Sequence, residues 1–220
     1  MDKVADAPNS TQSSTQRAYI ALRNDIITGR LQPGERLKID TLKVGLDTGA
    51  SPVREALSLL TSDQLVERLD QRGFRVARTS RAQFQEILQL RCTLEDLAVR
   101  DSLAHSNGAW EDGLVLAHHH MVQASGGEQD VFEALHKRFH MALISACQSP
   151  ILLRFCDQLY DLNVRYRYLA GKSKSYGRRD VRTEHRDILD AAVARNVEQV
   201  SERLTGHYRA TGAFLADQIA

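Results

Sequence analysis

From Arg81 to the C-terminus, apolar residues recur only at helical spacing, and this predicts an all-helical second half. Six stripes are legible, at about 81–104, 110–123, 129–147, 150–170, 180–195 and 197–219. The breaks fall at Ser106-Asn107-Gly108, Ser125-Gly126-Gly127, Ser149-Pro150 and Gly171 to Gly177, where turn formers and helix breakers gather. Short loops between such helices imply an antiparallel bundle of six to seven helices spanning residues 80–220.

The first third reads differently. Met1 to Thr15 is polar, rich in Ser, Thr and Gln, and is expected to be a disordered leader (1–15) with neither a signal peptide nor a membrane anchor. Tyr19, Leu22, Ile26 and Ile27 form a helical stripe over 16–28, stopped by Gly29 and the turn Leu31-Gln32-Pro33-Gly34. A short helix is expected after Asp40 as N-cap, through Leu42 to Leu46. Ser51-Pro52 pairs a cap residue with a proline suited to a first helical position, and Val53, Ala56, Leu57 and Leu60 carry that helix to about Ser62. Two alternating pieces, Leu65 to Leu69 and Phe74 to Ala77, flank a hairpin turn at Asp70-Gln71-Arg72-Gly73. Helix, helix, turn, helix and hairpin over 16–79 make a winged helix-turn-helix, whose third helix would enter a major groove. The predicted fold class is therefore mostly α: a winged helix followed by a helical bundle.

Composition bounds the function. Across 220 residues, 42% hydrophobic and 26% charged content is that of an ordinary globular protein. No apolar run approaches the ~20 residues needed to span a bilayer. Cys92, Cys147 and Cys156 lack paired spacing and sit on helical stripes, which points to buried, reduced thiols in a cytoplasmic protein. The net charge of +1 says nothing of nucleic acid, but Val66 to Arg81 holds five arginines against two acids.

Three motifs then narrow the family. Leu22-Arg23 with Gly29-Arg30-Leu31-Gln32-Pro33-Gly34-Glu35-Arg36-Leu37, then Ser51-Pro52-Val53-Arg54-Glu55-Ala56-Leu57, then Arg72-Gly73-Phe74, together resemble the GntR family of regulators in order and spacing. Physically, Ser51 opens a helix N-terminus with N–H groups suited to phosphate. Arg54 lies one turn in, within reach of a base edge or phosphate. Arg72 and Gly73 suit a wing tip entering a minor groove. Many relatives carry an arginine before the Ser/Thr-Pro pair, where this chain has Ala50, and Gly49 replaces a common serine. Lys38 or Lys43 is then a candidate for backbone contacts.

The second half carries a histidine constellation. His136 and His140 are four apart and share a helix face with Phe132, Leu143 and Cys147 beside it. His185 falls on the stripe Val181, Ile188, Ala192, and His207 on the stripe Val200, Leu204, Thr211, Phe214. Inward imidazoles from three bundle helices can converge on one metal. By contrast His118-His119-His120 fan out by about 100° each and read as mostly surface. Arg91 interrupts the stripe Phe84, Ile87, Leu94, Ala98 and needs an anionic partner, either Glu95 in an internal ion pair or a ligand carboxylate. Asn163 and Tyr166 interrupt another apolar stripe and are candidate second contacts to an effector.

Residues 84–216 resemble the FCD effector domain of the FadR-like GntR branch, through Arg91 to Glu95, Phe139-His140, Glu184-His185 with Ile188 and Ala191, and His207. In metal-binding members these positions supply one Asp and three His; here His136 stands at the Asp position. The resemblance implies a metal set of His136, His140, His185 and His207, or three histidines without His136. An all-nitrogen set favours Zn, with Ni or Cu as alternatives, over Mg or Mn. It also implies a homodimer on a palindromic DNA operator, a carboxylate effector at the metal, and no membrane partner. The expected activity is regulation of transcription, as a repressor, not catalysis. A metal-responsive regulator, with the metal itself as signal, is the alternative; a metal-dependent hydrolase is a third reading, opposed by the absence of HExxH and of an evident general base.

Overall fold

A computed structural model describes residues 12–70, 72–170 and 180–216. The chain divides into two compact units, Met1–Arg78 and Thr79–Ala220.

In the first unit, α1 (Ser14–Ile27) starts two residues earlier than the apolar stripe suggested, because the Ser13 hydroxyl accepts the Gln16 N–H at 3.1 Å and caps it. Ser14 and Thr15 are thus helical, not part of a leader; residues 1–11 lie outside the described set. β1 (Arg36–Leu37) was not foreseen, since two residues show no alternation. Next come α2 (Ile39–Gly45), α3 (Ala50–Ser62), β2 (Val66–Leu69) and β3 (Gly73–Val76). The expected hairpin is therefore part of a three-stranded antiparallel sheet ordered β1-β3-β2, with Leu37 opposite Phe74 and Val66 opposite Val76. Gln71, in the hairpin turn, lies outside the described residues. Gly34 at φ +79° turns the chain into β1 and donates its N–H to the Val76 carbonyl at 3.0 Å.

Two cap assignments need correcting. The N-cap position of α2 is Lys38, and Asp40 lies inside the first turn, paired with Lys43 at 2.8 Å. The N-cap position of α3 is Gly49, so Ser51 and Pro52 are the second and third helical residues. First-turn N–H groups have no carbonyl partner, so the helix tolerates proline there and extends back to Ala50. The stripe Val53, Ala56, Leu57 and Leu60 is fully buried and packs α3 on α1 through Leu22 and Ile26. Each such side chain stabilises the unit by roughly 1.5–3 kcal/mol.

The second unit contains α4 (Arg81–His105), α5 (Gly108–Gln123), α6 (Gln129–Leu143), α7 (Pro150–Ala170), α8 (Val181–Val193) and α9 (Val197–Ala216). Ser80 caps α4 and Asn107 caps α5. The main deviation from the sequence pattern is α6, which ends at Leu143 instead of 147. The Ser102 hydroxyl of α4 donates to the Leu143 carbonyl at 2.9 Å and accepts the Ala146 N–H at 3.2 Å, so a neighbouring helix satisfies the end. The break expected from Gly171 to Gly177 lies outside the described residues. The core runs through Val99, Leu103, Leu114, Phe139, Leu143, Ile188 and Leu204. All three cysteines are buried and unpaired, and burial pushes the Cys156 thiol up to about 12. Among the described residues no helix is long and apolar enough to cross a membrane.

Candidate metal centre and DNA-binding elements

α6 supplies His136 and His140 one turn apart, on the face that also buries Phe139 and Leu143. α8 adds His185 beside Ile188 and Ala192, and α9 adds His207 beside Leu204 and Thr211. All four are buried, and one ring nitrogen of each lies within 4.8 Å of the others. His136 Nε2 is 2.9 Å from His185 Nε2 and 3.1 Å from His140 Nε2. Burial is the main force holding His136, His140 and His185 well below the usual histidine range, with Arg167 adding most at His136 and neighbouring histidines at the other two. All three rings are therefore neutral, the form that ligates metals.

The outward nitrogens decide which atom faces inward. The Tyr208 hydroxyl donates to Glu95, so its oxygen accepts from His140 Nδ1–H at 2.9 Å. His207 Nδ1 lies 2.7 Å from Glu184 Oε2, a carboxylate that only accepts. The ring of His185 is hydrogen-bonded to the backbone of Val181. Each bond puts the proton outside and the lone pair inside, which is how a second set of partners orients metal-ligating histidines. The donor set fits a divalent transition metal. His136 is oriented otherwise: its Nδ1 meets the Tyr160 hydroxyl at 2.6 Å and Arg167 Nη1 at 3.1 Å.

Behind the cluster lies Arg91. Its Nε donates to Glu95 Oε1 at 2.6 Å and its Nη1 to Asn163 Oδ1 at 3.0 Å. The guanidinium carbon sits 4.0 Å from the Tyr208 ring centre and 4.7 Å from that of Tyr160. Among the described residues its Nη2 is buried without a hydrogen-bond partner. Arg91 and Asn163 are thus brought together, and two tyrosines link them to His136 and His140. Tyr166 is not part of this group. Its hydroxyl donates to Gln83 at 2.9 Å, and its ring packs on Phe84, with centres 4.9 Å apart, near the start of α4.

Of the histidine triplet, His119 is exposed, but His118 is buried with its ring edge against Phe139, correcting the surface reading. None of the three joins the cluster. The pattern missed Tyr160, Arg167, Tyr208 and the role of Glu184, which reaches across to His207 instead of serving its neighbour His185. All are polar or aromatic residues at inward helical positions, a signal the sequence does carry; which histidine each meets is set by packing between helices.

In the first unit, Lys38, Ser51 and Arg54 are exposed, the latter two on the side of α3 away from its buried stripe. Arg72 and Gly73 are exposed at the wing, where Gly73 takes φ +87°.

Comparison with known proteins agrees with both units. Residues 14–76 match the model described as "Bacterial regulatory proteins, gntR family", and residues 86–210 match the FCD domain. The chain is 32% identical over 198 residues to the HTH-type transcriptional repressor GlaR of Escherichia coli K12, covering 86% of this chain and 90% of GlaR. It is 34% identical over 205 residues to the regulator BphR of Paraburkholderia xenovorans LB400, covering 90% and 83% respectively. Among solved structures, E. coli McbR/YncC superposes with a TM-score of 0.83 at 24% identity, covering 94% of this chain and 99% of that one, a likeness of fold. The chain belongs to the GntR family of bacterial transcription regulators, in the branch that carries an FCD domain.

Proposed function

We propose that this protein is a repressor whose affinity for a palindromic operator is set by a small carboxylate acting at a metal in the histidine cluster. The convergence of ring nitrogens from α6, α8 and α9, with outward protons anchored on Tyr208, Glu184 and Val181, supports this reading. Zn is the favoured metal and Ni the alternative, since imidazole ligands suit both. A bound metal would supply a Lewis-acid position for an anionic oxygen. Arg91 and Asn163, behind Tyr160 and Tyr208, would sense whether that position is filled, and Arg91 has one donor to spare.

On DNA, Ser51 and Arg54 would enter the major groove, Arg72 and Gly73 the minor groove, and Lys38 would meet the backbone. Leu90 and Leu97 on α4, and Ile151 and Phe155 on α7, are exposed apolar residues on two helices that pack together, which supports a homodimer through this face. The expected location is the cytoplasm.

The test starts from duplexes selected out of random DNA by the purified, untagged protein. Their affinity should fall steeply between 50 and 200 mM salt, a range over which proteins making several phosphate contacts lose about a thousandfold or more. It should change again when the metal is removed by chelator. A flat salt response would sink the DNA reading. Metal-free protein with unaltered control by small carboxylates would sink the metal's role. Control lost only on chelation, with no response to any carboxylate, would make the metal itself the signal.

A further inference from the structure

If the cluster binds a metal, as proposed above, its four histidines are not equivalent. Guanidinium nitrogens only donate, and Arg167 Nη1 lies 3.1 Å from His136 Nδ1. Arg167 is held there through its other terminal nitrogen, 2.8 Å from Glu133 Oε1. The Tyr160 hydroxyl, 2.6 Å away, can donate to the same Nδ1. The nearer Glu133 oxygen is 3.9 Å from Nδ1, too far to accept a hydrogen bond. A proton on Nδ1 would be turned against the Arg167 N–H, which cannot accept it, so the neutral ring carries its proton on Nε2 and the Tyr160 hydroxyl donates to Nδ1. That N–H faces the acceptor nitrogens of His185 at 2.9 Å and His140 at 3.1 Å. A protonated nitrogen has no lone pair for a metal.

The same N–H points into the pocket where a cation would sit, so an acceptor has to lie between them, and a bound anionic oxygen supplies it.

We propose that the metal is held by His140, His185 and His207, and that His136 directs its Nε2–H to an anionic oxygen bound beside them. His136 is thus a ligand-recognising donor in the metal pocket, not a fourth ligand.

Two measurements test it. Nitrogen-15 NMR of the metal-free protein should show His136 protonated at Nε2, and His140 protonated at Nδ1. In cobalt(II) titrations, His136→Gln should bind the ion within about threefold of the unaltered chain, while His140→Gln loses at least a hundredfold. Acetate added to the cobalt-loaded chain should shift its visible spectrum. His136→Leu should weaken acetate at least tenfold, the scale of a lost hydrogen bond to a charge, and His136→Gln, which keeps an N–H, should restore most of it. If only raising the pH shifts the spectrum, and His136→Leu moves that transition upward, the anion is hydroxide. A spectrum indifferent to both overturns the proposal. So does His136 protonated at Nδ1, or a cobalt loss in His136→Gln equal to that in His140→Gln, while the metal reading survives. No cobalt uptake by the unaltered chain overturns both.

Discussion

The two units solve the problem of burial in opposite ways. Among the described residues of the winged helix, every buried side chain is apolar, and Lys38, Ser51, Arg54 and Arg72 all stay at the surface. Every buried polar or charged side chain belongs to the helical unit, from Arg91 to Thr211. A buried polar group costs free energy unless it is hydrogen-bonded, so the second unit leans on a network that partners most, not all, of these groups. The difference teaches that chemistry and stability are separable in the first unit and entangled in the second.

The largest break in the second unit is expected at Arg91. Among the described residues, Arg91→Met leaves Glu95 buried with only the Tyr208 hydroxyl as partner. Removing one member of a buried pair typically costs about 3–5 kcal/mol, readable as a lower urea midpoint at unchanged slope. A loss below about 1 kcal/mol, the range of exposed pairs, would erase the contrast between the units.

Acid should come next, acting on the same unit. In the metal-free protein His136, His140 and His185 have lowered pKa values, chiefly from burial. The unfolded chain therefore binds protons first. Stability is complete above the unfolded value of about 6.5 and is lost as pH falls from there toward the folded values. At pH 5.5, about one unit below the unfolded value, each histidine can contribute a loss of at most about 1.4 kcal/mol. Chelator-treated protein unfolded in urea at pH 8 and pH 5.5 gives the difference, and His140→Gln should remove roughly a third of it. A pH-independent midpoint would mean the cluster is solvated.

In the first unit the corresponding lesion is a cavity. Leu57→Ala removes a fully buried side chain beneath α3 and should cost about 3 kcal/mol, within the range of buried leucine truncations. Unlike the acid effect, it should be the same at both pH values, because no titratable group is buried near it.

How much of this was legible follows the same division. The winged helix was readable because its signals are local: the stripe of α3, the alternation of β2 and β3, and turn residues between them. What escaped were the two-residue β1, the early start of α1 under its Ser13 cap, and the cap positions Gly49 and Lys38, each decided by local geometry at one or two residues. In the bundle, helical period alone placed His136, His140, His185 and His207 inward, and they do meet. What periodicity could not supply is which groups stand behind them. Arg167 behind His136 and Tyr208 behind His140 come from other helices, and they give two neighbouring histidines opposite tautomers. The Asn163 and Tyr166 pair shows the same limit: three residues apart on α7, one meets Arg91 and the other Gln83.

The smallest expected effect on folding is the sharpest test of separability. Arg54 is exposed on α3 and Arg72 at the wing, so Arg54→Ala and Arg72→Ala should each change unfolding free energy by no more than about 0.5 kcal/mol. Binding to the selected operator should respond instead. A residue reading a base edge should cost about 1–3 kcal/mol and relax preference at one position, whereas a phosphate contact should weaken all sequences alike and lower the salt slope by about one. Arg54, one turn into the helix expected in the major groove, is assigned the first behaviour. Arg72, beside the positive-φ Gly73, is assigned the second, because a wing in the minor groove meets backbone and groove width before base identity. Should either variant lower the unfolding midpoint as much as Leu57→Ala does, the surface of the first unit would be as entangled with its stability as the interior of the second.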